Sequence, residues 1–455
     1  MGDTADVVVV GAGLSGLECA SAVVAAGVHD VLVVDAAGAA TATPPAWGST
    51  APPHYVGVGR TPEVGGRSLH WHGVVLRLEE WALSDPAWPE SARSALRGDA
   101  AGAAGLYEQV ERELGDWAGG SLIRERADGF GVLASGRPVP QAVRPDGNGG
   151  RRAYTPLDRC LSWVAPGERA GRPRVRAGCQ VLSVVARAGR VSGIVVRDMG
   201  TGDTATITTQ TVVLAAGALD NTRLVAQLSG TDRPPTFSGL NDHLVQGFVV
   251  RLPAAALGWP RPVDAFEYVP DDGSRFSVFA RTRLLPESPD EVLLDVWAMG
   301  EQVRSEGNVV SFPDTERVPW RAMVTPALTE SDREVLVAQR RELTELWARL
   351  GGRTGTRLRF PDFMGAPLAF DRALTRLRGE PRGAPVGYCW PLGTVEHESG
   401  TLPLGGADVG ETGELAAAAG GYVVGPATFP RSGAANPSLT TLALARWTAV
   451  RLLAG

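Results

Sequence analysis

The stretch VVVVGAGLSG, residues 7–16, constrains this chain more than any other. Four consecutive valines read as a strand covered on both faces, the usual state of a strand inside a parallel sheet. They run straight into Gly11, Gly13 and Gly16, then into LECASAVVAAG, a helical pattern closed by Gly27. A second apolar run, Val31–Val34, ends in Asp35. Strand, glycine turn, helix, strand and acid is the order of a Rossmann unit. In it Gly11 makes the turn, Gly13 lets a pyrophosphate approach the backbone, and Gly16 lets helix and strand pack closely. The helix start offers unpaired N–H groups to phosphate, and Asp35 is placed to accept from ribose hydroxyls. The motif does not choose between NAD and FAD.

That choice comes from residues 179–217, CQVLSVVARAGRVSGIVVRDMGTGDTATITTQTVVLAAG. Three short β-rich runs separated by turn residues form a meander that ends in the strand TVVLAAG. Gly217 then opens ALDNTRLVAQLSG, a helical pattern running to Gly230. A simple nicotinamide domain completes its sheet without leaving it. This chain returns to the same sheet only after a long detour, which favours a flavoprotein, with Val181, Ala216 and Gly217 at the cofactor.

A chain of 455 residues can build two or three domains. Its formal charge of −6 gives no footprint for nucleic acid, so the local cluster RAGRPRVR (169–176) reads as solvated surface. The chain has no lysine, and its 44 basic residues are all arginine, the bias of a GC-rich genome. Cys19, Cys160, Cys179 and Cys389 lie far apart without C-x-x-C spacing; they read as reduced and buried, in a cytoplasmic protein. No run reaches the roughly 18 apolar residues of a membrane span. The glycine-broken valine run is no signal peptide, and Asp6 stands where acylation needs Ser or Thr. The expected assembly is a monomer or homo-oligomer.

Residues 36–64 read as an excursion around the cofactor, and VGGRSLHWHGVVLRL (64–78) as a glycine turn followed by alternating bulky residues. One amphipathic helix is expected within ARSALRGDAAGAAGLYEQVERELG (92–115). Strand runs LVQGFVVRL, RFSVFARTRL and VLLDVWAMG are followed by a long helix over 331–352, opened by Ser331 as cap with Glu334 three positions on. The expected fold class is α/β: a Rossmann-like FAD-binding domain with a second α+β substrate domain on an antiparallel sheet. The discontinuous FAD domain takes 1–78, 165–240 and 390–455. A helical and loop insertion covers the cofactor over 79–164, and the substrate domain spans 241–389. Near the end, Gly421–Gly425 reads as a short strand, Pro426 and Pro430 bracket a turn, and SLTTLALARWTAVRLLAG as the terminal helix. Pro437 suits its first turn, and Asn436 sits at its positive end, where an electron-rich ring edge is stabilised.

Six histidines occur in the chain. His397, ahead of Gly400 and Thr401, lies where chain meets turn; it suits a near-neutral base, though from its residues alone a core histidine bonded to backbone carbonyls is the leading alternative. Asn436 could hold the same alcohol oxygen. His70 and His72, two apart, would share one face of a strand with Trp71 on the other. No third ligand completes a metal set, so no metal is expected. Trp390 lines a substrate or packs in the core. Hydrolase chemistry lacks its G-x-S-x-G elbow, and phosphoryl transfer lacks a P-loop.

Taken together, VVVVGAGLSG (7–16), GGRSLHWHG (65–73), VVLAAGALDNTRLVAQLSG (212–230), NDHL (241–244), HESGT (397–401) and FPRSGAANPSLTTLALA (429–445) resemble the glucose–methanol–choline (GMC) flavoprotein oxidoreductases, in family order and over nearly the whole chain. The resemblance implies bound FAD and oxidation of an alcohol or sugar carbon. The family's base falls on His397, with Asn436 as partner. It implies cofactor contacts from Gly65, Gly66, Ser68, His70, Gly425, Pro426, Asn436 and Pro437, and substrate contacts from Trp71, His72 and Trp390. GGRSLHW and GAANPSLT look most like the pyranose 2-oxidase branch and bacterial sugar and glycoside oxidases. In pyranose 2-oxidase the histidine matching His70 carries FAD covalently; here attachment and simple packing beside the ring both stay open. Gly425-Pro426-Ala427 replaces an Asp-Ala-Ser run, so contacts there must come from backbone. The implied substrate is a small-molecule alcohol, sugar, glycoside, aminoglycoside or other natural-product hydroxyl, with oxygen or another electron acceptor. Antibiotic biosynthesis suits the composition. A flavoprotein for a different oxidation or elimination, or a non-catalytic flavin carrier, is the alternative.

Overall fold

A computed structural model describes residues 3–38, 47–49, 55, 61, 63–98, 104–123, 131–147, 150–161, 172–229, 235–351, 357–363 and 367–454. Val7–Val10, buried at all four positions, pairs in parallel with Val31–Val34 on one side and Thr211–Leu214 on the other. Arg174–Arg176 and Gly421–Val423 complete a five-stranded parallel sheet. The chain thus leaves this sheet and returns to it three times. The helices Leu14–Ala25 and Ser438–Ala454 pack against each other, so the first and last parts of the chain share one core. The meander forms as expected: Cys179–Arg187, Arg190–Asp198 and Thr204–Thr208 pair antiparallel in turn. Arg174, in the basic cluster, is a surface residue paired with Asp30 at 2.7 Å.

The second large sheet has six strands, ordered Val386–Cys389, His243–Pro253, Glu291–Glu301, Phe276–Leu284, Phe266–Val269 and Arg137–Pro138. Period-two alternation gives it two different faces. Even-numbered residues of His243–Pro253 and Glu291–Glu301 meet the helix Glu330–Leu350. Gln246 Nε2 donates to the Leu336 carbonyl, and Gln339 Nε2 to the Leu244 carbonyl, both at 2.9 Å. Odd-numbered residues, among them Val245, Asp295, Trp297 and Met299, face a cavity instead. The fold class is the one expected, α/β with a Rossmann-like unit and an antiparallel-sheet unit.

Four local expectations need correction. The long helix begins two residues earlier than its Ser331 cap implied. Thr329 caps it, accepting from the Asp332 N–H while Asp332 accepts from the Thr329 N–H, a full capping box. Ser331 is otherwise engaged, accepting from Arg275 at 2.6 Å. The single helix over 92–115 is two, Glu90–Arg97 and Leu106–Ala118. Gly105 packs so close to the Arg97 backbone that any side chain would collide there. His70 and His72 lie on no strand: Gly66–Leu69 is one 3-10 turn, His70 ends it, and Trp71 follows in a bend. The short strand near the end stops at Val423. The excursion over 36–64 lies mostly outside the described residues.

Candidate active site

One cavity of about 670 Å³ lies between the glycine turn of the parallel sheet and the open face of the antiparallel sheet. At its first end the backbone itself forms the wall. Gly11 has φ +105°, and a Cβ there would stand 2.5 Å from the Ala215 carbonyl oxygen. A Cβ on Gly13 would meet nothing within 4 Å, so this residue borders open cavity. Gly16 lies outside the lining, and a Cβ there would strike the Gly11 carbonyl; its task is packing. No side chain caps the helix at Gly13, so its first N–H groups face the cavity without a side-chain partner. Asp35 lines the cavity and also latches the turn, accepting from Ala12 N–H at 2.5 Å and Ala37 N–H at 2.7 Å.

Gly66, Ser68 and His70 join the lining, while Gly65 supplies the left-handed turn (φ +109°) beneath them. Ser68 Oγ donates to the Gly65 carbonyl at 2.6 Å. The His70 side chain is 61% exposed, with Nε2 3.5 Å from a Glu63 carboxylate oxygen. Val181, Ala216, Gly217, Pro426 and Pro437 also line the cavity. Gly425 does not; its φ of +100° carries the chain past Ser15 in the first turn of the opposite helix. The terminal helix starts at Ser438, and Pro437 stands in the cap position, its carbonyl accepting from Thr441 N–H at 2.8 Å. Thr441 Oγ1, in that first turn, is buried on the cavity with no hydrogen-bond partner among the described residues.

His397 and Asn436, expected to work together, line the same cavity. What joins their segments is the triplet Asn241-Asp242-His243, whose roles no local sequence pattern discloses. Asn241 and Ser399 exchange backbone hydrogen bonds at 3.1 and 2.9 Å. Asp242 Oδ1 accepts from the His397 N–H at 3.2 Å. His243 stands edge-on to His397, with their Nδ1 atoms 2.9 Å apart, and its Nε2 lies 3.1 Å from the Gly433 carbonyl, three residues before Asn436. A carbonyl only accepts, so His243 Nε2 carries a hydrogen and its Nδ1 is a lone pair. His397 Nδ1 must then donate, which leaves His397 Nε2 as the unprotonated nitrogen. Asp242, His243 and His397 place potential ligand atoms within 4.8 Å of one another, but both His243 nitrogens are already engaged.

Arg67, in the GGRSLHW turn, clips that turn to the His397 segment. It binds both oxygens of Glu398, the Glu396 carbonyl at 3.0 Å and the Glu396 carboxylate at 3.0 Å. Burial, then the nearby His243, Arg67 and His72, hold the His397 imidazole well below its usual pKa. Burial lowers His243 to about 4. Burial and the Glu398 charge push Asp242 up to about 7, and Asp242 Oδ2 has no partner among the described residues. Burial opposes ionisation of Glu398, yet the Arg67 charge and hydrogen bonds hold it below the usual carboxylate range. The His397 imidazole is therefore neutral through the neutral pH range.

Trp71, His72 and Trp390 all reach the cavity. Trp71 is fixed by its indole N–H, which donates to the Tyr154 carbonyl at 2.7 Å. All four cysteines are buried and outside any disulfide among the described residues, Cys179 on the cavity wall. No helix among the described residues is long and apolar enough to cross a membrane.

These two sheets around one cavity give the chain an α/β fold with a Rossmann-like unit and an antiparallel-sheet unit. The same fold is found in the crystal structure of pyridoxine 4-oxidase from Mesorbium loti, to which the chain is 18% identical over 99% of both chains, with a TM-score of 0.59. No protein-family model matches the sequence, and no curated protein does.

Proposed function

We propose that the protein binds FAD and oxidises an alcohol to a carbonyl compound. The carrying observation is the His243–His397 pair, which leaves one neutral imidazole nitrogen unprotonated on the cavity wall. The chain's groups suit the cofactor: an uncapped helix start for a pyrophosphate, Asp35 for a ribose, and an unpartnered Thr441 hydroxyl at the start of the terminal helix. In this reading, residues 1–78, 165–240 and 390–455 hold the cofactor, 79–164 cover it, and 241–389 form the substrate wall. A bound flavin supplies the acceptor for the two electrons and hydrogen that leave the carbinol carbon.

The protein's own residues do the rest. Asn436 holds the substrate oxygen by hydrogen bond. His397 Nε2 takes the hydroxyl proton while the C–H bond breaks. The resulting imidazolium keeps its Nδ1–H donated to His243, with an Asp242 carboxyl oxygen within 4.8 Å. The start of helix Ser438–Ala454 stabilises negative charge that develops beside it. Oxygen or another acceptor closes the cycle, and the pyridoxine 4-oxidase fold match supports an oxidase. Kinship with the pyranose 2-oxidase branch rests on GGRSLHW and GAANPSLT, and a biosynthetic role on composition alone.

Anaerobic addition of an alcohol panel to purified yellow protein tests the reading: at least one member should bleach the flavin. Bound flavin that none can reduce would support a non-catalytic carrier, and a colourless protein would rule the cofactor out. His70, paired with Glu63 on an exposed turn, is assigned to non-covalent packing beside the ring. A denaturing gel should accordingly show no fluorescent protein band, and a fluorescent band would establish the covalent link.

A further inference from the structure

The cavity wall contributed by the antiparallel sheet is built from flat rings. Trp297 stacks on Phe279 at 5.3 Å with planes 11° apart, and Phe266 leans on Trp297 at 5.7 Å. Phe370 and Trp390 stack at 6.4 Å and 27°. All five line the cavity, with Tyr388 beside them. Tyr388 can lie across the neighbouring strand because Gly247 is opposite it; a Cβ at that glycine would stand 2.5 Å from the phenol ring. The phenol then reaches Asp295, donating at 2.8 Å.

The polar groups on this wall are largely spent on one another. Asp295 Oδ1 accepts the Tyr388 hydrogen bond, and Oδ2 lies 3.5 Å from Arg281. Burial pushes Asp295 up to about 6. His72 is held at about 4, mainly by burial and then by Arg281 and Arg283, so it is neutral. Among the fully buried polar atoms of this wall, Arg281 Nε–H has no partner among the described residues. The Arg281 guanidinium lies 5.7 Å from the Trp297 ring centre and 6.0 Å from that of Phe266. Arg283, 6.0 Å from the Phe370 ring centre, adds a second cation. A saturated polyol would need many free polar partners here, and a polycation such as an aminoglycoside would meet Arg281 on the wall, with the charge of Arg283 also felt at His72. A buried guanidinium donor left unmatched is costly and calls for an acceptor.

We propose that the cavity selects a planar aromatic alcohol whose ring carries an anionic oxygen substituent, held between the aromatic wall and Arg281. This deepens the alcohol-oxidation reading and rests on it. The reaction is unchanged: the hydroxyl proton goes to His397, and a bound flavin would take the hydride from the carbinol carbon. The ring stacks against the sheet wall, and the anionic oxygen accepts from Arg281.

Four probes decide it in anaerobic reduction of the holoenzyme flavin: 4-(hydroxymethyl)benzoate, benzyl alcohol, 4-(aminomethyl)benzyl alcohol and methyl glucoside. The carboxylate should half-saturate at a concentration about ten- to a hundredfold below that for benzyl alcohol, the worth of one charge-assisted hydrogen bond. The amine and the glucoside should trail both. Arg281→Gln should shrink the carboxylate advantage to about threefold or less, mainly through half-saturation and not the limiting rate. Arg281→Lys, which keeps charge but loses Nε–H, should retain part of it. Should these variants lose flavin, titration of wild-type holoenzyme tests the same contact: benzoate should perturb the flavin spectrum at lower concentration than benzamide. Faster reduction by the glucoside, no advantage of carboxylate over neutral ring, or equal loss for all alcohols in Arg281→Gln would overturn the assignment. Reduction by none of the four, with other alcohols also inert, would instead remove the alcohol-oxidation reading itself.

Discussion

The two ends of the cavity are made by opposite means. At the glycine turn the backbone is the wall: Gly11, Gly13 and Gly16 contribute by having no side chain, and Asp35 ties the turn through two N–H groups. At the antiparallel sheet the side chains are the wall, brought together by register from strands distant in sequence. Asp295 faces Arg281 across one strand pair, while Tyr388 crosses Gly247 to reach it. A backbone site recognises what all dinucleotides share. A side-chain site can be rebuilt for one substrate without disturbing the cofactor.

That contrast breaks most readily at Gly16. Gly16→Val places a methyl-bearing carbon against the Gly11 carbonyl and should yield protein without flavin, read by the absorption of the purified variant; normal flavin content would show that the turn tolerates side chains. His243 sharpens the contrast from the other side, because it acts through His397. His243→Phe should slow anaerobic flavin reduction about ten- to a hundredfold. It should also move the acid limb of the rate downward. The wild-type base is depressed below the ordinary value of about 6.5, mainly by burial, so its rate should stay level from neutral pH downward until it falls in acid. With His243 gone, the His397 imidazolium loses the acceptor of its Nδ1–H and the fall begins at lower pH. An unchanged pH profile with a lower rate would reduce His243 to a packing role. The smallest effect is remote from both walls. Thr329→Ala removes the cap of the helix behind the sheet and should cost about 1 kcal/mol, measured by chemical denaturation, with little change in substrate preference.

The backbone end is legible in the sequence because glycine spacing and one terminal acid are local signals. The side-chain end is not. His243 lies 154 positions from His397, and nothing in NDHL announces that its histidine fixes the tautomer of another. The Arg67 clip crosses 331 positions, again beyond any local pattern. His397 itself is ambiguous from its residues and stands out only through family resemblance. The misplaced cap has a simpler cause: Thr329 and Ser331 both suit a helix start, and the choice falls to Asp332 and Arg275, which the alternation of apolar residues does not report. His70 and His72 read as strand partners because alternation carries no information about the 3-10 turn that Gly65 and Gly66 permit.

The central claim is that His397 Nε2 removes the substrate proton while the glycine end holds the cofactor independently. Single-turnover anaerobic reduction in His397→Ala tests both halves at once. The expected result is an intact bound-flavin spectrum with reduction slowed about 10²- to 10⁴-fold; reduction at the wild-type rate would contradict the claim.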